Sequence, residues 1–97
     1  MSYRIIPTKK KIELPKKGYY IKGDSGEDIE IISSFLACNF MGFESKLGVK
    51  IDDMLGDYFG DNLTKWIKEF QRCTGLTDDG GIGKITLAKL REYGMDA

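Results

Sequence analysis

One short phrase occurs twice between Asp57 and Leu90, and it fixes where the chain must turn and where helices must start. The first copy is Asp57-Tyr58-Phe59-Gly60, leading into a helical stretch that closes on Phe70-Gln71 and Gly75-Leu76. The second is Asp79-Gly80-Gly81-Ile82-Gly83, followed by Lys84-Ile85-Thr86 and a helical stretch to Leu90. Gly80 takes a positive φ without steric cost, and Asp79 can bond its own backbone two residues on, so the second copy makes a tight turn. Gly83 is expected to let the chain pass, closely packed, into the next helix. A helix start presents free backbone N–H groups, which favour carboxylates.

Apolar spacing predicts three helices. The first runs from about Glu27 to Asn39, with Ser25 as N-cap, Asp28 three residues on, and Ile29, Ile32, Phe35 and Leu36 on one face. It should fail near Phe40-Met41-Gly42. The second runs from Asp61 to Cys73, where Leu63, Trp66, Ile67 and Phe70 give the strongest amphipathic pattern. Gly75 suits a left-handed cap behind it. The third runs from Lys84 to Tyr93, with Ile85, Leu87, Ala88 and Leu90 as apolar positions and Gly94 ending it. Between the first two, Gly42, Gly48, Gly56 and Gly60 break the pattern. A helical turn over Asp52–Leu55 and a short strand over Leu47–Ile51 both remain open there. The expectation is an all-α fold, a small three-helix bundle with glycine-rich turns and an extended N-terminal arm. The arm is placed at residues 1–18 and the domain at 19–97. Tyr3, Ile5, Ile6, Ile12 and Leu14 could still dock part of the arm.

A chain of 97 residues holds one domain with a modest core. No apolar run approaches the about 18 residues of a membrane span. Residues 1–17 carry Lys9, Lys10 and Lys11 without a following apolar stretch, so they do not read as a secretory signal. Formal charge sums to zero, but residues 1–22 hold seven basic residues and only Glu13, which makes a basic arm before an acidic globule. Such an arm is a solvated linker or a patch for an anionic partner. Cys38 and Cys73 lie near helix ends without CxxC spacing. They read as buried free thiols or as a disulfide between helix ends. With no histidine in the chain, neither a zinc site nor a His-based nucleophilic triad is expected. Adjacent carboxylates such as Asp52-Asp53 and Asp78-Asp79 are too common here to indicate a glycosidase. No catalytic, metal or cofactor residues are assigned.

Three blocks, in order, carry a likeness. Lys22-Gly23-Asp24-Ser25-Gly26-Glu27-Asp28-Ile29 opens it, with Ile32 and Leu36 following and Ser33 at a position usually held by Gln. Phe59-Gly60 and Phe70-Gln71 with Gly75-Leu76 form the centre, and Asp79-Gly80, Gly83 and Thr86 close it. Over residues 20–92 the chain resembles the peptidoglycan-binding domain, type 1, a three-helix wall-anchoring module of phage endolysins and bacterial autolysins. It departs at Gly56-Asp57, where the family has Asp-Gly, at Leu63 for a usual Thr, and in a longer stretch from Phe40 to Gly56.

The resemblance implies a non-catalytic module that targets a lytic enzyme to the bacterial wall. Its partners would be peptidoglycan, through glycan strand or stem peptide, and a tethered or associated hydrolase; a membrane is not expected and nucleic acid is disfavoured. It would act at the cell wall, after synthesis in the host cytoplasm if phage-borne. Candidate ligand-binding residues are Asp57, Tyr58, Asn62, Trp66, Asp79 and Lys84. Tyr58 suits sugar stacking or a structural turn. Asp57 and Asp79 suit ligand amides and hydroxyls or turn stabilisation. Asn62 and Lys84 suit a stem peptide or solvated helix surface. Trp66, on an inner helix face, leans to the core. Alternatives are a protein-interaction or pro-segment helical module, which would need a cysteine placed to reach a metal, and a small nucleic-acid-binding helical domain.

Overall fold

The computed structural model describes residues 11–95. Five helices follow in order: α1 Glu27–Asn39, α2 Gly42–Leu47, α3 Ile51–Met54, α4 Asp61–Cys73 and α5 Lys84–Glu92. The three long helices stand within a residue of the sequence expectation. The stretch between α1 and α4 is helical rather than extended, and α2 and α3 both pack on α4. Neither is long enough to be stable alone. Phe43 anchors α2, stacking on Phe40 and meeting Trp66 edge-on. Ile51 and Met54 bury α3.

Trp66, Phe59, Phe70, Leu63 and Ile67 form the centre of the core with Ile29, Ile32 and Leu36 of α1 and Leu87 and Leu90 of α5. The Trp66 Nε1–H donates to the Val49 carbonyl at 3.2 Å, satisfying the one polar atom of a fully buried indole. Ile12 is fully buried in the same core, and Arg91 donates to its carbonyl. Within the arm, Ile12 is thus docked and Leu14 packs partly on the same core. Tyr3, Ile5 and Ile6 lie outside the described residues.

Helices α4 and α5 end alike. Behind α4, the Leu76 N–H returns to the Gln71 carbonyl at 2.8 Å across Gly75, whose φ of 80° is the left-handed cap expected there. Behind α5, Met95 returns to Leu90 across Gly94. These are Schellman closures, which satisfy carbonyls that a helix end leaves unpaired.

Three local expectations need correction. Ser25 does not cap α1: Gly26 holds that position, with no side-chain cap, because Ser25 is paired with Tyr58 in an isolated antiparallel bridge. Ile85 and Ala88 face outward on α5 while Thr86, Leu87 and Leu90 face the core. Cys38 and Cys73 are free and exposed rather than buried. The Cys73 thiol nonetheless donates to Glu69 Oε2 at 3.2 Å, and local desolvation with that carboxylate pushes its pKa up.

Candidate functional site

The lead-in segment from Tyr20 to Ser25 joins the two copies of the repeated phrase. At one end Tyr20 and Ile82 exchange both backbone hydrogen bonds, at 3.0 and 2.8 Å. At the other, Phe59 donates to the Asp24 carbonyl and accepts from the Gly23 N–H, both at 2.8 Å. Ile82 and Phe59 are each fully buried one residue before a helix cap. The caps are near copies in backbone: Gly60 has φ −105°, ψ −166° and Gly83 has φ −99°, ψ −164°. Neither helix has a side-chain cap. The two helix starts are thus equivalent scaffolds whose first N–H groups remain available.

A buried side chain from an earlier helix holds each turn. Gln71 of α4 accepts from the Gly80 N–H at 2.9 Å through Oε1. Its Nε2 lies 2.8 Å from the Gly81 carbonyl, 3.0 Å from Thr86 Oγ1 and 3.2 Å from Asp79 Oδ1. Asp79 Oδ1 also accepts from the Gly81 N–H at 3.0 Å, the expected bond two residues on. Gly80 has φ 83°, and a Cβ there would stand 2.9 Å from Thr64 Cγ2, so conformation and space both select glycine. At the first turn the shorter Ser33 of α1 does the equivalent work. Its Oγ accepts from the Gly56 N–H at 3.2 Å and lies 3.1 Å from the Gly56 carbonyl.

A groove opens at each helix start. The larger, about 770 Å³, lies at α5 and is lined by Tyr19, Ile21, Leu76, Asp79, Lys84 and Ile85 among others. The smaller, about 330 Å³, lies at α4 and is lined by Asp53, Asp57, Tyr58, Asp61 and Asn62 among others. A Cβ at Gly83 would meet nothing within 4 Å, so this glycine borders open groove rather than tight packing, contrary to the sequence expectation.

The candidate residues divide between these grooves. Asp57, Tyr58 and Asn62 sit at the smaller one, and Asp79 and Lys84 at the larger. Tyr58 is 57% exposed and Asn62 donates to the Asp53 carbonyl at 3.1 Å. Trp66 lines neither and is 0% exposed, which removes it from the candidate contacts. Sequence reasoning missed Ile21 and Ile85, which are 43% and 70% exposed at the larger groove. The signal for Ile85 was its place in the first turn directly after Gly83-Lys84, where a helix has no preceding turn to pack against.

Charge separates the two starts. Asp61 opens α4 and pairs with Lys22 at 2.7 Å; the lysine holds this carboxyl below its ordinary range, and the carboxylate raises the lysine. Lys84 opens α5 and has no ion-pair partner among the described residues. Elsewhere on α5, Lys89 pairs with Glu92 at 3.1 Å and Arg91 is turned to Ile12. No group of three or more metal-ligating side chains occurs among the described residues, nor any helix long and apolar enough to cross a membrane.

The chain is similar in sequence to known proteins. An uncharacterized protein in the bpoA1 3′ region of Kitasatospora aureofaciens is 34% identical over 67 residues, which cover 69% of this chain. The chain spans about half the length of that curated relative. No solved structure matches. The family described as "Putative peptidoglycan binding domain" matches residues 25–90, a stretch that begins just before α1 and includes both repeated turns, Gln71 and most of α5. The chain belongs to this peptidoglycan-binding domain family.

Proposed function

We propose that this chain anchors a wall-lytic enzyme to peptidoglycan through the two grooves at its repeated helix starts. The observation that carries this reading is the pairing of equivalent uncapped helix starts with exposed side chains on a member of a peptidoglycan-binding family. Asp57, Tyr58 and Asn62 would meet the polymer at the smaller groove, and Asp79 and Lys84 at the larger. An exposed tyrosine beside carboxylates and an amide suits sugar faces and hydroxyls. Two of the three basic side chains of α5 are engaged within the fold, which disfavours a nucleic-acid reading.

Anchoring works by effective concentration. A hydrolase held on its polymer meets the next bond far more often than one that must diffuse back, without any change in its chemistry. The test joins this chain to a wall hydrolase and compares rates on insoluble sacculi and on short soluble fragments. The expected result is faster release from sacculi with unchanged turnover of soluble fragments. Equal rates on sacculi with and without the chain would contradict the anchoring role.

A further inference from the structure

We propose that the larger groove takes the stem-peptide part of peptidoglycan, with the peptide's terminal carboxylate at Lys84 and its alanine methyl groups against Ile21 and Ile85. This rests on the wall-binding reading and assigns the ligand chemistry within it.

The two helix starts share a scaffold and differ in the side chains it presents. Gly60 and Gly83 share one backbone geometry, and Phe59 and Ile82 fill equivalent buried positions before them. The next two residues then differ in chemistry: Asp61 and Asn62 at α4, Lys84 and Ile85 at α5. The smaller groove is lined by three carboxylates, Asp53, Asp57 and Asp61, and would repel an anionic end group. In the larger groove the lining carboxylate is Asp79, whose Oδ1 is already occupied by Gly81 and Gln71. Its cation, Lys84, has no ion-pair partner among the described residues and stands where the helix dipole is already positive. No acidic residue in the first turn of α5 offsets it. This placement works against the helix, and such local conflicts are expected where a ligand must be met.

The apolar lining points the same way. Ile21 and Ile85 are aliphatic and exposed, and they match methyl groups better than the broad face of a sugar ring, while the ring of Tyr19, the aromatic in this lining, has Lys17 Nζ over it at 5.2 Å. An anionic ligand with small apolar groups beside its charge is what this surface complements, and a stem peptide ending in D-alanine has that form.

The test titrates the isotope-labelled full chain with a synthetic stem pentapeptide ending in free D-Ala-D-Ala, and with its C-terminal amide, while retention on sacculi is measured in parallel. Free peptide should shift the resonances of Ile21, Lys84 and Ile85, and amidation should weaken binding about three- to tenfold. Lys84→Glu should weaken it at least about tenfold while leaving the melting temperature unchanged or higher, because an acidic residue suits a helix start. Retention on sacculi without peptide binding, equal affinity for the amide, or shifts confined to Tyr58 and Asn62 would each overturn the peptide assignment and leave wall binding standing. Loss of both sacculus and peptide binding in the unmodified chain would overturn both.

Discussion

Replacing Gln71 with Ala would leave the buried Gly80 N–H and the part-buried Gly81 carbonyl without their partner. The expected loss is about 2–4 kcal/mol, more than for a solvated amide, because both ends of the side chain are engaged and stranded polar groups keep their desolvation cost. Gln71→Glu is isosteric but should be comparably harmful, since it sets an oxygen against Asp79 Oδ1 and the Gly81 carbonyl. Denaturant unfolding of both variants checks this; a loss below about 1 kcal/mol would show that the turn holds itself. Glu69 gives a second test. Its carboxylate is buried, bonded by Lys46 at 2.5 Å and Arg72 at 2.7 Å, and held below the ordinary range first by Lys46, then by the Cys73 thiol and nearby positive charge. A carboxyl whose folded pKa is depressed contributes stability that is present above its unfolded value of about 4.3 and lost as pH falls through the folded value. Glu69→Gln should therefore flatten the decline of stability on acidification below about pH 5. A decline as steep as in the unmodified protein would assign the acid sensitivity elsewhere.

At the scale of elements, α5 carries a core face and an exposed face at the groove, which the proposal assigns to binding. Leu87 faces the core and Ile85 faces the groove, on opposite sides of the same helix. Leu87→Ala should cost about 2–4 kcal/mol, whereas Ile85→Ala should change stability by no more than about 0.5 kcal/mol. Thermal melts of the two variants read the difference directly, and comparable losses would contradict the outward placement of Ile85. The same helix shows how far the sequence could be read. Helices α1 and α4 were legible because each is 13 residues long and repeats its apolar positions over several turns. Nine-residue α5 offers apolar residues on both faces, so spacing alone could not tell Ile85 from Leu87. Helix α2 was illegible because it begins at a glycine and owes its existence to Phe43 packing on Phe40 and Trp66. Ile12 was one of several arm residues that could have docked, and only the packed core distinguishes it. The two turns were legible as turns, but their division into an acidic groove and an apolar, basic one depended also on side chains outside the repeated phrase. Ile21 reaches the second turn from the lead-in, and Asp53 reaches the first from α3.

Across the whole molecule, one rigid arrangement serves both helix starts. The lead-in from Tyr20 to Ser25 is bonded to each turn, Gln71 and Ser33 hold the turns from inside, and a shared core fixes α4 and α5 behind them. The exposed groove residues can therefore change without moving the scaffold, so on the proposed reading wall binding is separable from folding. The measurement that bears most directly on this account is co-sedimentation of the full chain with purified sacculi, beside a double variant carrying Tyr58→Ala and Lys84→Glu. The unmodified chain should sediment with the wall, and the double variant should stay largely in solution with the same far-UV helicity and a melting temperature within a few degrees. An unmodified chain that remains in the supernatant with sacculi of every wall type tested would contradict the account, as would a double variant that sediments equally well.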